Sequence, residues 1–273
     1  MDRNLEELKK QGLGLAAVSY DSEAALRNFA SRKNVRFPLL SDSDSKVIRD
    51  FGLLNEAVAK NTLFFGIPHP VTYIVDRKGK VKSKYFEDDY RQRQTLAGLL
   101  AKDYGVIPAA SASDVQAKHV KLQTAASTET VAGGQRILLS VTIDMPKGYH
   151  VYAPGTEGYI PVSWNLNSSP GWKEHPVTFP KSRVLFMKAI DEKVPVFEGR
   201  ATLTRDVTIG DDRSLKPLLS ADGTLSIEGT VRYQTCDDRI CFPPETVPVK
   251  WTLKRVAHDS QRVPPELRRT PTP

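Results

Sequence analysis

The period of the hydrophobic pattern changes once along this 273-residue chain, and that change limits the fold more than any other feature. In residues 1–104, helical stripes alternate with short apolar runs. A helical pattern at Leu5 and Leu8 ends at Gly12, and residues 13–19 form an uninterrupted apolar run, as in a strand buried on both faces. Asp21 or Ser22 can cap a helix with the stripe Ala25, Leu26, Phe29 and Ala30. A short strand at 37–40, a helix capped by Asp44, a buried-type strand at 71–75, its hairpin partner at 80–86 and a helix at 91–102 follow. This order, α, β, α, β, α, β, β, α, predicts a sheet covered by helices. Residues 105–117 turn to Pro, Ala and Ser and read as a linker. Beyond them the helical period disappears. Strand-like segments recur at 119–125, 135–143, 162–167, 201–209, 225–234 and 247–253, with Gly133-Gly134 as a hairpin turn. This predicts a β-sandwich over 118–256, followed by a Pro/Arg-rich tail at 257–273. Trp164, Trp172 and Trp251 are expected in its core or packed at its edge.

The length suits about two domains. The net charge of +7 is spread through both halves and does not interleave with aromatics, which argues against nucleic-acid binding. No apolar run approaches the roughly 18 residues of a membrane span, and the first residues lack the apolar core of a signal peptide. The five histidines lack metal-ligand spacing, there is no Gly-rich phosphate loop, and two cysteines alone do not make a four-ligand zinc site. No metal and no dissociable cofactor is expected.

The two cysteines, Cys236 and Cys241, flank a four-residue loop between strand-like segments. Antiparallel neighbours have Cα atoms about 4.5–5.5 Å apart, and a disulfide spans about 4.4–6.8 Å, so the pair can bridge. A bond closing so short a loop constrains the unfolded chain little, which favours a bond that opens and closes. A static disulfide and unpaired or metal-ligating thiols remain alternatives. Asp237 and Asp238 would raise a neighbouring thiol's pKa and Arg239 would lower it, leaving the sign open.

Three blocks of the first half carry a resemblance: residues 14–21, the Phe37-Pro38-Leu39-Leu40-Ser41-Asp42 segment, and residues 66–80 with Pro68-His69-Pro70 before an apolar run and Asp76-Arg77-Lys78-Gly79 after it. Together they resemble the redoxin/peroxiredoxin (AhpC/TSA) group of the thioredoxin fold. The resemblance implies a reactive cysteine ahead of the first long helix and a cis-proline beside the active site, for which Pro70 is the candidate. Residues 1–235 contain no cysteine. No peroxidase chemistry is therefore expected from these residues, since the nucleophile must be a thiolate.

In the second half, Tyr233-Gln234-Thr235-Cys236, Cys241-Phe242-Pro243-Pro244 and the upstream segment 145–152 resemble the amino-terminal periplasmic domain of DsbD-type thiol:disulfide interchange proteins. That resemblance implies an immunoglobulin-like sandwich whose cysteine pair exchanges electrons with periplasmic partners. By position it makes Cys236 and Cys241 the exchanging pair, with Cys241 meeting the partner first. It places His150, Tyr152, Tyr233, Asp237, Asp238 and Phe242 around the pair. It also puts the stretch from Phe186 through Met187 and Ile190 to Glu192 where the family has a cap loop. The C-x4-C spacing is one residue tighter than the family's pattern, and the cap stretch lacks a clear central aromatic.

The expectation is thus α/β plus all-β: an incomplete thioredoxin-like domain followed by an immunoglobulin-like β-sandwich. The expected function is thiol–disulfide exchange, in which a thioredoxin-like protein or another thiol or disulfide protein substrate forms a mixed disulfide with the pair. The chemistry suits a periplasmic or other extracytoplasmic compartment, with a leader, like the first domain's cysteine, upstream of Met1. Two alternatives are a peroxiredoxin-type antioxidant enzyme whose reactive cysteine lies upstream of Met1, and a non-catalytic binding module held by a static disulfide.

Overall fold

The computed structural model describes residues 2–62, 64–86, 93–106, 110–187, 191–237, 239–257, 261 and 263–267. The chain divides into two compact units, Met1–Arg93 with Asp259–Pro273, and Gln94–His258.

In the first unit, Leu5 and Leu8 are the buried positions of the helix Asp2–Lys10. The strands Ala17–Ser19 and Leu39–Ser41 pair in parallel, joined by the helix Glu23–Lys33. Ser22 caps that helix by accepting the Ala25 N–H, and Asn34 ends it in the left-handed region at φ 49°. The helix Lys46–Asp50 follows, and then the hairpin Val71–Val75 and Val81–Phe86. Asp76 closes the hairpin turn by accepting the N–H groups of Lys78 and Lys80 at 2.8 and 2.9 Å. Through residue 86 the element order follows the sequence pattern; the last helix expected of this domain, Leu96–Tyr104, falls in the second unit instead.

Three details differ. The apolar run at 13–19 yields only a three-residue strand, and Val18 and Val75 are 48% and 47% exposed rather than buried. Among the described residues each belongs to a two-stranded sheet. Asp44 accepts the Lys46 N–H at 3.1 Å, as expected, but helix Lys46–Asp50 is capped also by Asp42, which is 6% exposed and accepts from Val47 and Ile48 at 3.1 and 2.8 Å. The His69–Pro70 bond is trans, contrary to the cis-proline expected there. The segment is instead held as a bridge between Leu54 and Pro68, with the His69 N–H donated to the Leu53 carbonyl at 2.7 Å.

The second unit is a β-sandwich. One sheet contains the strands Trp172–Thr178, Arg200–Ile209, Gln135–Asp144, Lys121–Ala126 and Ser113–Val115, in that order. The last of these arises within the stretch read as linker, because its backbone pairs with 122–124 along the open sheet edge. The facing sheet runs Ser163–Leu166, Thr224–Tyr233, Glu245–Arg255 and Thr130–Val131. Alternation builds the core: Val247, Val249, Trp251 and Leu253 point inward opposite Val231, Gly229, Ile227 and Leu225. They meet Ile137, Leu139, Val141, Ile143, Leu203 and Val207 of the other sheet. Trp164 and Trp251 lie there with ring centroids 5.2 Å apart, and Trp172 packs at the edge. Gly133-Gly134 does not close a hairpin. It carries the chain from one sheet to the other, since Val131 pairs with Arg255 and Arg136 with Thr208. The helix Leu96–Tyr104 packs on Gln135–Asp144, with Lys102 and Arg136 both paired to Asp206.

A third, smaller sheet, Arg183–Met187, Glu192–Glu198, His150–Tyr152 and Thr235–Cys236, completes the unit. None of its first three strands stood out in the sequence. Its two faces do different things. Val151 and Phe197 turn into the main core, whereas Tyr152, Val194, Val196 and Cys236 form a separate cluster on the other face.

Candidate functional site at the Cys236–Cys241 disulfide

Cys236 and Cys241 are joined, with Cα atoms 4.1 Å apart. The loop between them is an antiparallel turn, as the spacing predicts, with its Cα separation shorter than the about 4.5–5.5 Å of strand neighbours. The Phe242 N–H donates to the Thr235 carbonyl and the Asp237 N–H to the Ile240 carbonyl, each at 2.9 Å. These bonds bracket Cys236 and Cys241 as a close antiparallel pair. The Asp237 carboxylate accepts the N–H groups of Arg239 and Ile240 at 2.7 and 2.8 Å. The Ile240 and Arg239 N–H groups hold that carboxyl below its usual range, and the charges of Arg239 and His150 add to the effect.

The two cysteines are not equivalent. Cys236 is fully buried and Cys241 is exposed. The Tyr152 hydroxyl lies 3.3 Å from both sulfurs and is the one donor of the three, since a disulfide carries no proton. Burial and the charge of Glu192 push its phenol up, so it stays protonated. Tyr159 lies on Tyr152 with ring centroids 4.4 Å apart, and its hydroxyl donates to Glu192 at 2.6 Å. His150 stands edge-on to Tyr152, at 5.5 Å between centroids, and pairs in register with Cys236.

The other expected site residues fall in different places. Phe242 stacks between His119, at 3.8 Å, and Tyr149, at 6.0 Å. Tyr233 belongs to the main core, and its hydroxyl donates to Glu245 at 2.7 Å. Burial and that carboxylate push its phenol upward. Phe186 pairs with Lys193 and so lies on the sheet face opposite Val194 and Val196, away from the disulfide. Strand alternation thus turns it away from the capping place expected of it. Met187 pairs with Glu192. Asp238, Ile190 and the side chain of Met187 lie outside the described residues. The aromatic that covers Tyr152 is Tyr159, which sequence reasoning misses. It sits in an irregular loop with left-handed turns at Gly155 and Gly158, so no periodicity relates it to Tyr152. The hydrogen bonds Ala153 N–H to Pro195 O, at 2.9 Å, and Val162 N–H to Tyr152 O, at 2.8 Å, fix the ends of that loop.

Two family profiles match the chain. AhpC/TSA covers residues 1–84. The N-terminal domain of thiol:disulfide interchange protein DsbD covers residues 116–252, half of the 273. The chain belongs to the DsbD N-terminal family. Its sandwich is the immunoglobulin-like DsbD N-terminal domain, preceded by a thioredoxin-like AhpC/TSA region. In that region the chain is 33% identical over 88 residues to peroxiredoxin Bcp of Escherichia coli strain K12, covering 32% of this chain and 54% of that protein. It is 32% identical over 99 residues to the chloroplastic peroxiredoxin Q of Arabidopsis thaliana, covering 35% and 43%. The chain thus spans about half the length of the curated relatives it matches. Among solved structures it is similar to the reduced DsbD N-terminal domain of Neisseria meningitidis, at 13% identity and TM-score 0.30, over 42% of this chain and 77% of that one. It is also similar to the N-terminal periplasmic domain of ScsB from Proteus mirabilis, at 12% identity and TM-score 0.36, over 52% and 51%. A DsbD-type domain with a Cys236–Cys241 disulfide fits thiol–disulfide redox function. Among the described residues no helix is long and apolar enough to cross a membrane.

Proposed function

We propose that the chain is a thiol–disulfide exchange relay working through Cys236 and Cys241 in the periplasm, with a thioredoxin-like protein as partner. One observation carries this reading: the disulfide joins an exposed residue, Cys241, to a buried one, Cys236, with the Tyr152 hydroxyl oxygen 3.3 Å from each sulfur. A partner thiolate attacks the Sγ of Cys241 in line with the S–S bond. A partner–Cys241 bond forms, the Cys236–Cys241 bond breaks, and the electron pair leaves on Cys236, next to the Tyr152 hydroxyl. A second partner thiolate then attacks the partner's own sulfur in the mixed disulfide and releases the Cys241 thiolate. The partner leaves oxidised and the pair is reduced by two electrons. In reverse, the reduced pair delivers those electrons to a disulfide substrate. Residues 1–235 hold no cysteine, so within this chain the first unit takes no sulfur step. Family membership and a disulfide that persists only in an oxidising compartment support the periplasmic placement.

The test is a redox titration in glutathione buffers, read by thiol alkylation. A potential above about −300 mV is expected of an exchanging bond; a lower one would mean a structural crosslink and overturn the reading. Cys236→Ser should in addition trap a mixed disulfide at Cys241 with a reduced thioredoxin-like protein after oxidation. Failure to trap it would also count against the relay.

A further inference from the structure

His150 is buried, at 2% exposure, on the same strand and sheet face as Tyr152. Its register partners are Cys236 on one side and Glu198 on the other. Directly paired residues of an antiparallel sheet share a face, with Cα atoms about 4.5–5.5 Å apart. The sheet therefore lines up a carboxylate, an imidazole and a buried sulfur in one row across three strands. We propose that His150 is a positioning residue whose imidazolium stabilises the Cys236 thiolate released during exchange. This rests on the exchange reading above.

When a thiolate attacks Cys241, the electron pair of the broken S–S bond stays on Cys236 as a full negative charge in a fully buried place. Such a charge is costly unless a cation or donor meets it. The Tyr152 hydroxyl supplies a donor. The imidazole, taking a proton from solvent, supplies the cation, and the thiolate is left unprotonated. Among the described residues, charged groups stand near His150 on several elements. Glu198 faces it from the strand Glu192–Glu198 and is itself paired with Arg183 at 2.7 Å. Asp237 and Arg239 stand in the adjoining loop, and Tyr152 on its own strand. Glu198 and Asp237 favour the imidazolium, while Arg183, Arg239 and burial oppose it. The thiolate formed on reduction adds the charge that tips the balance. The register of His150 with Cys236, the residue before Asp237, places the imidazole beside the cysteine loop.

The test uses the full chain. In a Cys241→Ala background, thiolate absorbance at 240 nm is titrated with and without His150→Phe, which keeps a ring against Tyr152. Loss of the imidazole is expected to raise the thiolate midpoint by at least about one pH unit, a tenfold loss of thiolate at pH below it. Identical midpoints would overturn the proposal. Circular dichroism checks folding. If the variant does not fold, NMR titration of His150 in the oxidised and reduced wild type decides. Its midpoint should rise on reduction, and an unchanged midpoint would overturn the proposal. Rapid reduction of the wild type by dithiothreitol supports the exchange reading independently, so identical midpoints with normal reduction sink only the role of His150. A wild-type disulfide that dithiothreitol does not reduce sinks both.

Discussion

Tyr159 lies over Tyr152, ring centroids 4.4 Å apart, and is held there by its bond to Glu192. It is the covering aromatic of the disulfide cluster. Replacing it by alanine should speed reduction of Cys236–Cys241 by dithiothreitol about 2–10-fold, the equivalent of losing one ring pair of about 0.5–1.5 kcal/mol. Tyr159→Phe, which keeps the ring, should fall between. Stopped-flow alkylation measures this; equal rates in all three proteins would show that the ring shields nothing.

The same contact predicts an alkaline effect. The hydrogen bond to Glu192 pushes the Tyr159 phenol up to about 12, above the ordinary value of about 10. Its folded-state pKa is raised, so its contribution to stability is complete below about pH 10 and is lost as the pH rises towards 12. Thermal unfolding of wild type and Tyr159→Phe should therefore converge across that window. A constant gap between them would refute the assignment.

The sandwich core turns on the Trp164–Trp251 stack, with Trp251 Nε1 donating to the Ala125 carbonyl at 3.0 Å. Trp251→Ala should cost about 3–5 kcal/mol. All three tryptophans lie in the second unit, so urea unfolding followed by their fluorescence reports that unit alone. A loss under about 1 kcal/mol would mean the core refills the space.

Gly229 is the tightest backbone approach in the same sheet. A Cβ there would stand 2.2 Å from the Asn165 carbonyl oxygen. Since that neighbour is backbone of the strand Ser163–Leu166, Gly229→Ala should destabilise the sandwich by about 1–3 kcal/mol and loosen the paired Leu166. Hydrogen exchange at residues 163–166 measures the second effect, and unchanged protection there would argue against the steric account.

In the first unit, burial pushes the Asp42 carboxyl up, but the Ile48 and Val47 N–H groups outweigh it and hold the pKa down. A depressed folded-state pKa gives stability that is present above about pH 3.9 and lost as the pH falls through the folded value. Asp42→Ala should cost about 1 kcal/mol and speed amide exchange at Val47 and Ile48. Unaltered exchange at both amides would remove the capping role.

What was legible in the sequence follows from what periodicity can encode. The sandwich strand Glu245–Arg255 alternates cleanly at Val247, Val249, Trp251 and Leu253, and the strands read from the sequence had bounds within about two residues, whereas Trp172–Thr178 was missed. The cysteine loop was legible because its geometry is local. The sheet that frames the disulfide was not. His150, Val151 and Tyr152 are all buried, so a three-residue strand covered on both faces shows no alternation. The resemblance put Phe186 where the family has a cap loop, yet its side is fixed by pairing with Lys193. Tyr159 reaches the site by a loop path that no pattern records.

Val151 is anchored in the main core while His150 and Tyr152, its two neighbours, turn the opposite way. A slip of one residue in this short ribbon would exchange the two sides at once, driving an imidazole into the oily interior and stranding the sulfur. The alignment of His150 with Cys236 is therefore locked from beneath by packing that never touches the sulfurs. Trimming Val151 or Phe197 is a way to disturb the redox centre from a distance.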